Sequence, residues 1–196
     1  MIEQVPADLL ATLKARHSEP QRHYHDWTHI EALLGHARSI ESNLHDPLSV
    51  IYAILFHDAV YDPRAKDNER RSAELLLDTA PAISPECLTR ARAMIEATEG
   101  HILPTDLSAQ ELEDCAHFLD MDLAILGAAP ERFDIYEAQI RLEYAHVPAN
   151  DFRKGRASVL RHFAEREALY FSDWGQKRFE AQARANLARS LAALST

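Results

Sequence analysis

The sequence predicts an all-α protein, one domain over residues 1–196 with about eight or nine helices, and three observations carry that prediction. Apolar residues recur at helical spacing along nearly the whole chain, cap and stop residues punctuate them at short intervals, and only 5 of 196 residues are glycine. So little turn chemistry does not suit a many-stranded sheet. A chain of this length can bury one good core, and no repeat or linker-like stretch divides it.

Pro6 to His17 reads as the first helix, with Leu9, Leu10 and Leu13 on one face. The second runs from about Trp27 to Leu44, where Ile30, Leu33, Leu34, Ala37, Ile40 and Leu44 form the stripe and His29 lies on its edge. Asp46 caps and Pro47 opens the third, whose stretch Val50-Ile51-Tyr52-Ala53-Ile54-Leu55-Phe56 is apolar all round and ends on His57-Asp58. Tyr61 to Lys66 reads as a loop, after which Asp67 can cap a helix through Ala73, Leu75, Leu76 and Leu77. Ser84-Pro85 starts a fifth helix that carries Leu88, Ala91, Met94 and Ile95 to a glycine stop at Gly100, leaving His101 on the loop beyond. Ser108 to Glu111 has the capping-box pattern and opens a helical region that Gly127 ends. Pro130 to His146, a segment capped by Asn150 or Asp151 and reaching about Tyr170, and Gln176 to Leu194 complete the set.

A net charge of −10 argues against stable nucleic-acid or anionic-membrane binding, which needs clustered Lys and Arg. Cys87 and Cys115 have neither CxxC nor Cys/His spacing, so reduced thiols are expected rather than disulfides or a zinc finger. The start, Met1-Ile2-Glu3-Gln4, has no basic segment followed by an apolar one, and no apolar run is long enough to span a bilayer. A cytoplasmic protein is the expectation, with a homodimer left open.

The His57-Asp58 pair is the most informative feature. Desolvating an imidazole and a carboxylate at the end of an apolar helix costs several kcal/mol, roughly, unless a partner or a metal takes their lone pairs. His29 and Asp122 are further polar residues beside apolar faces. Asp120 and Asp122 point about 200° apart on a helix, and Asp122 is the one surrounded by Phe118, Leu119, Ile125 and Leu126, so Asp122 is expected to be the buried carboxylate and Asp120 a helix-face group near an arginine. Two imidazoles and two carboxylates without thiolate suit one divalent cation, Mn, Mg, Co, Ni, Fe or Zn, with positions left for water and substrate. His25, one turn before His29, is expected on the substrate side, while His17 and His117 read as ordinary, at least partly exposed histidines.

In this order, His29, then His57-Asp58, then a distant Asp122, the chain resembles the HD-domain superfamily of metal-dependent phosphohydrolases. The strings Arg22-His23-Tyr24-His25-Asp26-Trp27-Thr28-His29-Ile30, Phe56-His57-Asp58-Ala59-Val60-Tyr61-Asp62-Pro63, Asp67-Asn68-Glu69 and Leu119-Asp120-Met121-Asp122-Leu123 are similar to a bacterial subgroup described as predicted HD phosphohydrolases. Ile140-Arg141-Leu142-Glu143-Tyr144, Gly155-Arg156 and Ala183-Arg184-Ala185-Asn186-Leu187 extend the likeness over nearly the whole chain. The resemblance implies an HD-type helical bundle, His29, His57, Asp58 and Asp122 as metal ligands, and a general acid/base shortly after the pair. Asp62 occupies that region, with Glu69 as runner-up.

The expected chemistry is hydrolysis of a small phosphorylated substrate, a nucleotide or related metabolite, with Arg22, Lys66 and Arg141 as cations against the phosphoryl charge. His101, between the pair and Asp122, is expected to touch phosphate; with no second histidine placed like it, one ion is favoured over two. A non-hydrolytic module that binds nucleotide or metal to regulate a partner is the alternative. A di-iron oxygen-activating enzyme needs about two more ligands than this sequence offers.

Overall fold

The computed structural model describes residues 2–79 and 83–195. Among these the protein is all-helical, with nine α-helices and no strand, as the periodicity predicts. The chain groups into two compact units, Met1–Met121 and Asp122–Thr196. No helix among the described residues is long and apolar enough to cross a membrane.

The first unit contains α1 (Ala7–Arg16), α2 (Trp27–Ser39), α3 (Pro47–Phe56), α4 (Asn68–Thr79), α5 (Pro85–Ala97) and α6 (Ala109–Asp122), the last of which ends one residue past the boundary. Helix α3 is its centre and packs on α2, α4 and α5. Every residue from Ser49 to Phe56 is buried, and side chains such as Ile51, Ile54, Leu55 and Phe56 each contribute about 1.5–3 kcal/mol of apolar burial. The N-terminal end of α3 is built as the sequence suggests, with Pro47 in its first turn and the Asp46 carboxylate accepting the Ser49 N–H at 3.1 Å. Asp114, buried on α6, adds a contact that no local pattern announces: its carboxylate accepts the N–H groups of His45 (2.8 Å) and Asp46 (2.7 Å).

The capping box of α6 forms as expected, Ser108 N donating to Glu111 at 2.8 Å and Ser108 Oγ receiving the Glu111 N–H. Two other ends differ from expectation. Helix α5 stops at Ala97, and the residue in the left-handed region is His101 (φ 47°), not Gly100. Among non-glycine residues histidine is one of the more tolerant of that conformation. Helix α6 does not continue to Gly127; it tightens after Asp122 into a 3-10 turn over Leu123–Gly127.

The second unit packs that turn against α7 (Pro130–Glu143) and α9 (Asp173–Leu194), with α8 (Ala149–Ala164) on α9. Gly127 matters here for space: a Cβ on it would lie 2.6 Å from the Phe179 Cβ and 2.7 Å from the Phe179 carbonyl oxygen. The fully buried Asn186 donates to the Leu126 and Ala128 carbonyls at 2.8 Å each, and the Tyr170 hydroxyl donates to the Leu123 carbonyl at 3.0 Å. Helix α8 begins after Pro148, so Asn150 and Asp151 lie in its first turn and are not its cap. Helix α9 starts at Asp173, earlier than expected, because Ser172 accepts the Gly175 N–H at 3.0 Å.

Candidate metal centre

His29 is set by the start of α2. The Asp26 carboxylate caps that helix by accepting the N–H groups of Thr28 (2.8 Å) and His29 (3.3 Å), which fixes the first turn and turns a buried imidazole inward. His57 is the C-cap residue of α3, and its Nδ1 lies 2.9 Å from the Ile54 carbonyl. A carbonyl can only accept, so Nδ1 donates to it, and a cation at the centre would take Nε2 as its ligand atom. That Nε2 faces His29 Nε2 at 3.2 Å.

One carboxylate lies beside both of these Nε2 atoms. Asp58 Oδ2 lies 3.1 Å from His57 Nε2 and 3.8 Å from His29 Nε2. Asp122, the last residue of α6, joins His29 and His57 in a group whose ligand atoms all lie within 4.8 Å of one another. These residues fit a cation. Two nitrogens bound at about 2.0–2.1 Å with a tetrahedral angle between them stand about 3.3 Å apart, close to the separation observed. The backbone bond at His57 Nδ1 is also the kind of outer partner that orients a ligating imidazole. The Asp58 carboxylate is 18% exposed, against 2–3% for the His57 and His29 side chains, so the cluster is reached from the carboxylate side.

Burial works to raise the pKa of Asp58, but the His57, His25 and His29 rings beside it outweigh that effect and hold the carboxyl below its usual range. The walls are aromatic: Tyr24 lies 4.9 Å from the His29 ring and Phe118 5.7 Å from the His57 ring, centroid to centroid. His25 stands beside the cluster, 6.1 Å from the His29 ring, and stacks on Tyr61 at 4.3 Å.

The other expected site residues fall out differently. Asp62 is exposed, and one of its oxygens accepts the Arg64 N–H at 2.9 Å in a local turn. Glu69 is half-buried in the first turn of α4, Lys66 is exposed on the loop, and His101 is half-buried beyond α5. Arg22 and Arg141 are not displayed as a phosphate clamp. The Arg22 side chain is buried and donates to the carbonyls of His25, Asp58 and Ala59, while Arg141 donates to the carbonyls of Tyr144 and Val147 just past the end of α7. In both, a planar fork of donors satisfies backbone groups that a helix end or loop leaves open.

Three burial expectations are reversed. Asp120 is fully buried and Asp122 only half-buried, because α6 is enclosed on nearly every side from Asp114 to Met121 and Asp122 sits where it ends. His17 is also buried: its Nε2 lies 3.3 Å from the Leu55 carbonyl, and burial, with help from the Arg22 charge, drives its pKa down to about 4. His117 is half-buried, and burial lowers its pKa too. In the second unit, Tyr136 is a residue that sequence reasoning passed over. It is buried, and the Arg156 guanidinium lies 5.1 Å from its ring centroid. Cys87 and Cys115 are free and buried, and burial pushes the Cys115 thiol up to about 12. Searches against protein families, curated proteins and solved structures found no match to this chain.

Proposed function

We propose that the chain is an HD-type, metal-dependent phosphohydrolase acting on a small phosphorylated metabolite such as a nucleotide. The observation that supports this best is the 3.2 Å approach of His29 Nε2 to His57 Nε2, with the carboxylates of Asp58 and Asp122 gathered around it. His29, His57, Asp58 and Asp122 would hold one divalent ion, and Mn, Mg, Co, Ni, Fe and Zn all accept such a ligand set. When bound, the ion supplies acidification of water and withdrawal of charge from phosphoryl oxygens. Asp62, or Glu69 one loop later, takes the proton from the attacking water and returns it to the leaving oxygen. With Arg22 and Arg141 tied to backbone carbonyls, the phosphate contacts fall to Lys66, His25 and His101.

The test is a screen of phosphorylated metabolites with each of these ions, beside an Asp58→Ala control. Metal-stimulated release of phosphate or of a phosphate ester product, absent in the control, is expected; no turnover across the panel in protein that binds metal would overturn the reading. A second reading, a nucleotide- or metal-binding regulatory module, draws on the exposure of Asp62 and the use of its oxygen in a local turn. Tight nucleotide binding without turnover would favour it.

A further inference from the structure

Arg22 is the most heavily engaged buried cation beside the cluster. Its Nη1 donates to the Asp58 carbonyl at 2.7 Å and the His25 carbonyl at 3.0 Å, its Nη2 to the Ala59 carbonyl at 3.3 Å, and its Nε to the Glu19 carboxylate at 3.2 Å. Its side chain is wholly buried, whereas the Glu19 side chain is 40% exposed. Asp58 and Ala59 lie past the last turn of α3, where no helical N–H can reach their carbonyls. His25 lies just ahead of α2. One guanidinium therefore joins the segment that delivers His29 to the segment that delivers His57 and Asp58. It also lies 5.5 Å over the Tyr61 ring, which stacks on His25.

We propose that Arg22 is a positioning residue for the metal centre: its planar fork fixes the backbone of Asp58 against that of His25, so that His29 and the His57-Asp58 pair arrive preassembled, and Glu19 orients the fork from the outside. The inference rests on the metal-centre reading above. Lysine preserves the charge but cannot serve three carbonyls from one plane, so a role through position and a role through charge predict different results.

The experiment is a Co2+ titration of wild type, Arg22→Lys and Glu19→Gln, followed by calorimetry and by the visible absorption of bound Co2+, with far-UV circular dichroism and thermal midpoint measured alongside. Arg22→Lys is expected to weaken Co2+ binding by about 10- to 100-fold, the range for lost outer partners of a metal site, and to shift the absorption bands while the helical signal is retained. Glu19→Gln, which removes the charge but keeps a side-chain oxygen to accept from Arg22 Nε, is expected to weaken binding a few-fold with a smaller shift of the same bands. Should Arg22→Lys fail to fold, Glu19→Gln decides alone. Wild-type affinity and spectrum in every folded variant would overturn the positioning role, even with a lowered thermal midpoint. Wild-type protein that takes up no Co2+ would instead remove the metal centre, and this inference with it.

Discussion

The two ends of α3 solve the same problem with different side chains. At the N-terminal end, carboxylates take up open N–H groups: Asp46 accepts from Ser49, Asp114 from His45 and Asp46, and Arg90 bridges Asp46 and Glu111. At the C-terminal end, rings and a guanidinium supply open carbonyls: His57 reaches Ile54, His17 reaches Leu55, and Arg22 reaches Asp58 and Ala59. The N-terminal groups are consumed by these bonds. An imidazole that donates through one nitrogen still presents a second, and at His57 that second nitrogen faces His29 Nε2 at 3.2 Å and the Asp58 carboxylate at 3.1 Å. A ring nitrogen turned towards a second imidazole and a carboxylate is thus found at the C-terminal end of the helix, whereas the N-terminal end gathers carboxylates on N–H groups and a guanidinium.

The largest test of this difference removes the ligands. His57→Ala or Asp58→Ala is expected to weaken Co2+ binding by more than about 100-fold, beyond the loss from an outer partner, with calorimetry as the readout; near-native affinity would break the comparison. At the other end, Asp114→Ala leaves two backbone N–H groups without acceptors and is expected to cost about 2–4 kcal/mol in denaturant unfolding. Its Co2+ affinity should stay at the wild-type level, and a parallel loss of metal would mean that the two ends are not separable.

His17 sharpens the contrast through pH. Its pKa falls from the ordinary 6.5 to about 4 in the folded state, so between those values the unfolded chain binds more protons. Its stabilising contribution is complete above pH 6.5 and is lost as the pH falls towards 4, amounting to about 2 kcal/mol by pH 5. Glutamine keeps a donor for Leu55 but does not titrate. The loss of stability between pH 7 and pH 5 should therefore be about 2 kcal/mol smaller in His17→Gln than in wild type, as measured by urea unfolding; equal losses would contradict the burial of a neutral ring. The smallest effect belongs to the exposed pair of His45 and Glu113, whose side chains are 37% and 66% exposed. Glu113→Gln is expected to change stability by less than about 0.5 kcal/mol.

Much of the frame was legible because its signals are local. Asp46-Pro47, Ser84-Pro85 and the Ser108 box act over three or four residues, and each forms the helix start it announces. The wrong readings share a cause in surroundings rather than spacing. Judged by its own helix, Asp122 has the more apolar neighbours, yet Asp120 is the buried one because other elements enclose that side of α6. Gly127 does end the helical region, as its type suggests, but it also supplies room for Phe179, more than fifty residues away in sequence. His17 looks like a partly exposed residue and Arg22 like a phosphate contact until the end of α3 is laid against them.

By itself the sequence determined the all-helical class and most helix starts, because periodicity and caps are properties of short stretches. Only the tertiary structure decided which nitrogen of His57 meets a backbone carbonyl, which carboxylates are enclosed, and that Arg22 serves carbonyls. Those outcomes depend on hydrogen bonds between residues as many as 69 positions apart, and no local pattern records where such partners will meet.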